Sequence, residues 1–181
     1  MTDAASASLE ARVREIEDTH AINEVFRKWH FVCTGGFAGK QAGRMEALEC
    51  LTDDATIEVH GMHEPGKGPK GRDQYTKFWA YFVGDDGPLP YVFQTMVGEQ
   101  VVLDGDTAVQ QHNMLGIFQL RGAKATMGLS QRTNDLVRTP KGWRIRKTTV
   151  TGGMSFEIDN LKGALNTLLP LEPRTPWKYE G

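Results

Sequence analysis

Apolar residues recur at helical spacing over the first part of the chain. From Ser8 onward, large apolar residues return every three or four positions with charged residues between them, at Leu9, Val13, Ile16, Ile22, Val25, Phe26 and Trp29. This period predicts a long amphipathic helix, for which Ser8 is a favourable N-cap. The glycines of TGGFAG predict its end. A shorter second helix is then predicted by the apolar residues Met45, Leu48 and Leu51.

The pattern changes in the middle of the chain. In ATIEVHG, apolar Ile57 and Val59 alternate with polar neighbours up to His60, which is the period of a half-buried strand. A loop is expected over 61–71. The next segment carries an aromatic stripe at Tyr75, Phe78, Trp79 and Phe82, spaced for one face of a third helix. Such a stripe is more typical of a hydrophobic core than of a cofactor site.

After GDDGPLP the pattern predicts β-structure. Three long alternating stretches are joined by LDGDT, LRGAK and RTPKGW, whose Asp, Gly and Pro residues favour hairpin turns. Consecutive hairpins give a curved antiparallel sheet, so the chain is predicted to be α+β, with helices covering one face of the sheet. The Pro-rich tail, 156–181, is expected to pack on the domain or on a neighbouring subunit.

Composition narrows the class of protein. The 181 residues suit one domain, 1–181, with a core at about 9–155, and 39% hydrophobic with 24% charged residues is typical of soluble globular proteins. The net charge of -2, with scattered basic residues, indicates neither nucleic acid nor anionic membrane as a partner. We expect a small hydrophobic molecule as partner, and a homo-oligomer, dimer or trimer. Without a signal-peptide pattern or a long apolar stretch, a cytoplasmic protein is expected.

The stretch DDATIEVHGMHEPGKGPKGRD, residues 53–73, suggests a metal or phosphate site. Zinc binding would need His60, His63 and Glu64 on one rigid face, whereas the glycine and proline among them predict a loop. PGKGPKG lacks the preceding strand and the Lys-Ser/Thr ending of a phosphate loop. We therefore expect no metal site, an exposed His60, acids at 53 and 54 that cap a turn, and a mobile loop at a pocket mouth.

Five segments in this order resemble the nuclear transport factor 2-like superfamily, in its SnoaL-like branch of polyketide cyclases and dehydratases. They are AINEVFRKWH, LTDDATIEVHG, GRD before an aromatic helix, VVLDGDTA and NDLVRTPKGWRIRKTTV. The resemblance implies a cystatin-like cone, in which a curved antiparallel sheet wraps around three N-terminal helices and encloses a pocket. Similar members are ketosteroid isomerase, scytalone dehydratase, hexachlorocyclohexane dehydrochlorinase and bile-acid dehydratase. They act without metal or organic cofactor, and other members only bind ligands.

The resemblance also implies that the family's best-known catalytic groups are absent. Val59 stands at the position of the isomerase's catalytic aspartate. Thr34 and the Phe93/Gln94 pair stand where the dehydratases and the dehydrochlorinase have their aspartate–histidine dyad. The scaffold is therefore expected to carry its chemistry, if any, on other residues.

Polar residues at pocket-facing positions are the catalytic candidates. On the first helix, His30 shares a face with Phe26 and Thr34, and a hydrogen-bonded imidazole in the core is an equal alternative. On the strand after LDGDTA, the resemblance points His112 and Met114 inward. His112 is the best candidate for a general base, with its pKa tuned near neutral pH by the pocket.

On the next strand, the resemblance points Arg132 inward. A buried guanidinium is costly unless paired, so Arg132 implies an anionic substrate group, a developing oxyanion or a structural carboxylate such as Asp135. Arg146 or Lys147 with Thr148 forms a second polar cluster. The predicted substrate contacts are Phe26, Trp29, Thr34, Val59, Tyr75, Tyr91, Gln94, Met114 and Thr148.

Together these features predict a cofactor-independent lyase, a dehydratase or an enzyme of small-group elimination. It would abstract a proton from a small hydrophobic compound, with aromatic compounds such as diaryl lignin fragments and polyketides among the candidates. The alternatives are an isomerase or cyclase of the same fold and a non-catalytic small-molecule-binding protein.

Overall fold

A computed structural model describes residues 2–34, 49–83, 91–120 and 122–158, with the backbone alone at 2–7, 30–34, 80, 82–83 and 91. The elements are α1 (Thr2–Thr34), β1 (Leu51–Val59), α2 (Arg72–Val83), β2 (Tyr91–Asp104), β3 (Thr107–Gln119), β4 (Ala125–Thr139) and β5 (Gly142–Glu157). Within these ranges, no helix is both long and apolar enough to cross a lipid bilayer.

The helices differ from the expectation at their ends. The predicted first helix is confirmed, but it begins at Thr2, ahead of Ser8. Met45 and Leu48, which belong to the predicted second helix, lie outside the described residues. Leu51, assigned to that helix, is instead the first residue of β1, where it is buried and pairs with Ile145.

The five strands form one sheet in the order β1-β5-β4-β3-β2. The predicted antiparallel meander is confirmed for β2 to β5. β1 is different, because it pairs with β5 in parallel, with Ile57 opposite Thr148 and Val59 opposite Val150. The sheet is therefore mixed, since β1 reaches β5 through α2 and the whole meander and not through a hairpin.

The core lies between the two helices and one face of the sheet. α1 contributes buried Ile22, Phe26 and Trp29, and α2 contributes Tyr75, which is completely buried. Of the aromatic stripe predicted for the third helix, Tyr75 belongs to the core of α2, and the partly buried Phe78 and Trp79 pack against the same cluster, which includes Leu136 and Ile145. The Phe82 side chain lies outside the described ones. Burial of each large apolar side chain stabilises the fold by about 1.5–3 kcal/mol.

The PGKGPKG segment is held along β1 and is not the mobile loop that was expected. The N–H of Ile57 donates to the carbonyl oxygen of Pro69 at 3.2 Å, and the N–H of Gly71 donates to that of Ala55 at 2.8 Å. At Gly68 the backbones approach so closely that a Cβ would lie 2.0 Å from the Ile57 carbonyl oxygen. The glycine is needed for this contact with β1 and not for binding phosphate.

The acids and histidines of the same stretch have local structural roles. Asp53 does not cap a turn, because it lies exposed inside β1 and pairs with Arg72 at 2.9 Å. His63 accepts a hydrogen bond at Nδ1 from the N–H of Val59 at 3.1 Å, and His60 is exposed, as predicted. In the part of the chain that the structure describes, no three His, Cys, Asp or Glu side chains form a metal-ligand set.

α1 is fixed to β4 and β5 through one carboxylate. Asp18 accepts hydrogen bonds from Arg138 Nη2 at 2.6 Å and from Trp143 Nε1 at 3.1 Å. The Arg138 guanidinium also lies over the Trp143 ring, 4.5 Å from its centroid, and binds Asp106. The hydrogen bond from Arg138 is the main reason that the pKa of Asp18 is lowered. These contacts set the direction of α1 and so place Phe26, two turns further along, over the sheet.

Candidate functional site

A row of polar side chains occupies the concave face of the sheet. Alternation along the strands places on this face Gln94 of β2, Gln110 and His112 of β3, Arg132 and Asn134 of β4, and Thr148 of β5. All except Gln94 are at least 97% buried. The register puts His112 directly opposite Arg132 and Gln110 directly opposite Asn134. The two main candidates of the sequence analysis are therefore neighbours across one strand pair.

His112 is held by an amide pair. The side-chain oxygen of Gln110 lies 2.9 Å from His112 Nδ1 and 2.8 Å from the amide nitrogen of Asn134. With the two amides in this orientation the oxygen accepts from both neighbours, which places the proton of the neutral imidazole on Nδ1. The lone pair then lies on Nε2, the nitrogen that can accept a proton. The amide pair therefore sets the orientation and the tautomer of the ring.

Burial keeps His112 uncharged. It lowers the pKa of the imidazole from 6.5 to about 3, and the positive charge of Arg132 acts in the same direction. The expected tuning to near neutral pH is therefore wrong for the protein as it stands, because burial and, after it, the nearby guanidinium both disfavour the charged imidazole. At neutral pH the imidazole is neutral and can act as a proton acceptor.

Arg132 lies between an amide and an indole. Its Nη2 donates to Gln94 Oε1 at 3.4 Å, and its guanidinium lies 4.8 Å from the centroid of the Trp29 ring. Asp135, suggested as a structural carboxylate partner, lies three residues further along β4 and so on the opposite face of the strand. The guanidinium thus stays on the concave face, where cation–π contact with Trp29 supports it.

α1 covers the pair with aromatic side chains. The Phe26 ring lies 5.5 Å from the His112 ring, and the Trp29 ring lies 5.3 Å from that of Trp79 on α2. Phe26 and Trp29, predicted as substrate contacts, therefore contact the candidate catalytic residues themselves. Their burial excludes water, which strengthens electrostatic interactions at the pair.

A cavity of about 220 Å³ continues along the concave face beside the pair. It is lined by Gln94, Met114, Gly116, Phe118, Gly128, Leu129, Ser130, Gly152, Gly153, Met154 and Ser155. Met114 and Ser130 are each two residues from a member of the pair on the same strand, so the cavity adjoins it. Gln94 and Met114, both predicted as substrate contacts, line it.

Glycines from three neighbouring strands form the floor of this cavity. Gly116 and Gly128 are paired across β3 and β4, and Gly152 is opposite Ser130. A Cβ at Gly128 would lie 3.0 Å from the Phe118 ring, whereas a Cβ at Gly152 would have no atom within 4 Å. The Gln94 side chain and the Phe118 ring therefore pack over Gly116 and Gly128, and the backbone is open to the cavity at Gly152.

The remaining predicted contacts divide into three groups. Thr148 is buried in the polar row opposite Asn134, and Val59 is partly buried against the core. Tyr75 is completely buried in the core and does not line the cavity beside the pair. His30, Thr34 and Tyr91 belong to α1 and β2, but their side chains lie outside the described ones.

The second polar cluster proposed on β5 is not formed. Arg146 is exposed, and Lys147 pairs with Glu58 at 3.7 Å. Of that cluster only Thr148 is completely buried on the concave face. Lys147 points to the opposite face, and Arg146 lies at a bulge between the pairs Asp135–Lys147 and Leu136–Ile145.

The sequence analysis missed the role of Gln110 and Asn134. Gln110 lies two residues from His112 on β3, and Asn134 lies two residues from Arg132 on β4, so alternation alone places all four on one face. The sequence signal for Gln110 was its place two residues before the inward-facing His112, which puts its amide on the same face. Alternation does not predict the cross-strand register that brings the Gln110 and Asn134 amides together.

Comparison with known proteins supports the fold. The SnoaL-like domain family matches residues 14–149, and no curated protein matches the chain. A solved NTF2-like protein with a cystatin-like fold from Novosphingobium aromaticivorans is 21% identical, with 90% of this chain and 96% of that chain covered and a TM-score of 0.61. The resemblance read from the sequence is confirmed.

Two further structures carry names of enzymes. A suggested scytalone dehydratase from Novosphingobium aromaticivorans is 13% identical, covering 81% of this chain and 91% of its own, with a TM-score of 0.65. Hexachlorocyclohexane dehydrochlorinase LinA-type3 from Novosphingobium barchaimii is 13% identical, covering 81% and 94%, with a TM-score of 0.65. At these identities the likeness extends to the fold alone.

The pKa of His112 predicts how stability changes with pH. Between pH 6.5 and about 3 the unfolded histidine binds a proton that the folded one does not. The free energy of unfolding should therefore fall as the pH drops below 6.5, and His112 should account for up to about 1.4 kcal/mol per pH unit of that fall. Urea unfolding from pH 7 to 5 should give a shallower slope for His112→Gln than for the wild type.

The control is Asn113→Gln, which changes an exposed amide on the other face of β3 and should keep the wild-type slope. Equal slopes for His112→Gln and the wild type would mean that His112 is charged, or accessible to water, in the folded protein.

Proposed function

The chain belongs to the SnoaL-like domain family, and we propose that it is a cofactor-independent lyase acting on a small hydrophobic compound. The observation that carries the proposal is the cross-strand pair of a neutral, buried imidazole and a buried guanidinium, His112 and Arg132. The imidazole can accept a proton from carbon. The guanidinium can hold the negative charge that the departing proton leaves behind.

The reaction that uses both groups is a β-elimination. His112 Nε2 takes a proton from the carbon next to a carbonyl, and the C–H electron pair moves to the carbonyl oxygen, giving an enolate against Arg132. The carbonyl then reforms, the electrons form a C=C bond, and the bond to a hydroxyl on the next carbon breaks. Protonated His112 returns its proton to that hydroxyl, which leaves as water.

The low pKa of His112 is compatible with its role as a base because the two groups are coupled. The charge of Arg132 is one cause of the low pKa. An oxyanion that forms against Arg132 offsets this charge, so the pKa of His112 rises while the proton is transferred. In a site from which water is excluded this coupling is strong. Proton transfer to His112 is therefore expected to require Arg132, and formation of the oxyanion at Arg132 is expected to require His112.

The glycines that line the cavity favour a flat molecule as the substrate. Glycine inside a strand weakens the sheet, and it often marks a place where a ligand approaches the backbone. Four of them, Gly116, Gly128, Gly152 and Gly153, line one cavity next to the pair. A planar ring can lie on the open backbone at Gly152, in the cavity that Met114 and Phe118 also line. Aromatic compounds, including diaryl fragments and polyketides, are thus the favoured class.

A non-catalytic ligand-binding protein is the second candidate. It is favoured by Gln94 and Val59, which stand where the family's resemblance implies a catalytic histidine and a catalytic aspartate. An isomerase or cyclase would use the same pair but return the proton to another carbon. We further propose that the protein acts in the cytoplasm and as a homo-oligomer.

The lyase proposal predicts the effect of removing either group. With a panel of aryl β-hydroxy ketones, formation of the conjugated enone can be followed by ultraviolet absorbance. His112→Gln and Arg132→Met should each lower kcat/KM by about 10²- to 10⁴-fold. The exposed control Asn113→Gln should keep the wild-type rate.

Purely structural roles would give the opposite result, with a lower melting temperature and an unchanged rate per folded molecule. Wild-type rates in both variants would disprove the proposed site. Tight binding of panel compounds without turnover by the wild type would favour the binding protein.

The glycine floor predicts a preference for flat ligands. In calorimetric titration, 2-naphthol should bind the wild type more tightly than decahydro-2-naphthol, which has the same carbon skeleton without the planarity. Gly152→Ala adds a methyl group to the cavity without touching other protein atoms, so the fold should be kept. The Kd for 2-naphthol should nevertheless rise about tenfold, because the floor is no longer flat. Equal binding by Gly152→Ala and the wild type would show that ligands do not use this floor.

A further inference from the structure

The N-terminal half of α1 exposes an apolar stripe. Leu9, Val13 and Ile16 are 59%, 44% and 68% exposed, although each is a large aliphatic side chain. Their spacing of four and then three residues places them on one narrow face of the helix. Scattered exposed apolar residues are ordinary, but three in line along a helix are typical of an interface.

This stripe faces away from the sheet. Asp18, which binds Arg138 and Trp143, marks the side of α1 that lies against β4 and β5. Successive residues of a helix turn by about 100°, so Asp18 lies half a turn away from Leu9. The stripe is therefore on the outer side of a helix whose opposite side is already fixed to the domain.

The charged residues beside the stripe have opposite signs on its two sides. In heptad terms Leu9 and Ile16 are d positions and Val13 is an a position, which makes Arg12 a g position and Glu10 and Glu17 e positions. Two such helices in parallel bring Arg12 of each next to the partner's Glu17. In an antiparallel pair, arginine would meet arginine and glutamate would meet glutamate. The charges thus fit a second copy of this chain in parallel orientation.

We propose that this face of α1 is an interface with a second copy of the chain, with the two α1 helices packed in parallel about a two-fold axis. Each sheet lies on the far side of its own helix, so the two domains point away from each other and do not collide. Because Asp18 already fixes the helix to β4 and β5, little further ordering opposes association. The interface is isologous, so every favourable contact occurs twice.

Charge reversal tests the proposal on the full-length protein by sedimentation equilibrium over a range of concentrations. Arg12→Glu and Glu17→Arg each place like charges together twice, and each should raise the dimer Kd about tenfold or more. The double variant Arg12→Glu/Glu17→Arg restores the opposite pairs and should return the Kd to within about threefold of the wild type. Glu15→Arg is the matched control outside the interface and should leave the Kd unchanged.

Ile16→Asp tests the apolar part of the interface and should abolish the dimer, while circular dichroism should show the helix content retained. A wild-type monomer at every concentration would overturn the proposal. So would an oligomer unaffected by Ile16→Asp, because another face would then hold it together. Weakening by both single reversals without rescue by the double variant would also overturn it. None of these readouts depends on a substrate or on activity.

Discussion

One buried positive charge governs the electrostatics of the concave face. Arg132 is 97% buried beneath Trp29, and directly across the strand pair lies a histidine that would be a second cation if it were protonated. Burial and this neighbouring charge both keep His112 neutral. The imidazole is held by the neutral amides of Gln110 and Asn134, which fix its orientation without adding a carboxylate to raise its pKa. The proposed chemistry follows from this arrangement, because an oxyanion beside Arg132 removes part of the reason that His112 resists a proton.

The fold keeps water away from this pair. Asp18 fixes α1 against β4 and β5, and two turns later the same helix places Phe26 and Trp29 on the imidazole and the guanidinium. Beyond the pair, glycines of three strands line a cavity, and the Gln94 side chain and the Phe118 ring pack over two of them. The site therefore combines a dry polar pair with a cavity whose floor is open to a ligand at Gly152.

Much of this arrangement follows from periodicity. Alternation and the family resemblance put His112, Met114 and Arg132 on the inner face. The helical period of α1 included Phe26 and Trp29, which are buried, but it also included Leu9, Val13 and Ile16, which are exposed. Periodicity does not show which residues of different segments contact each other. The parallel pairing of β1, the packing of PGKGPKG along that strand and the Gln110–Asn134 contact depend on register and on contacts between segments far apart in sequence. The pKa of His112 was misjudged for the same reason, because depth of burial and the cross-strand charge are properties of the folded sheet.

Nitrogen-15 NMR of the imidazole side chains can show whether His112 is neutral and which of its nitrogens carries the proton. The His112 signals can be assigned by their loss in His112→Gln. We expect a neutral ring with its proton on Nδ1, and signals that do not change between pH 8 and pH 5 because the pKa is about 3. A His112 ring that titrates near pH 6.5, or that carries its proton on Nε2, would disprove the neutral, amide-held imidazole described above.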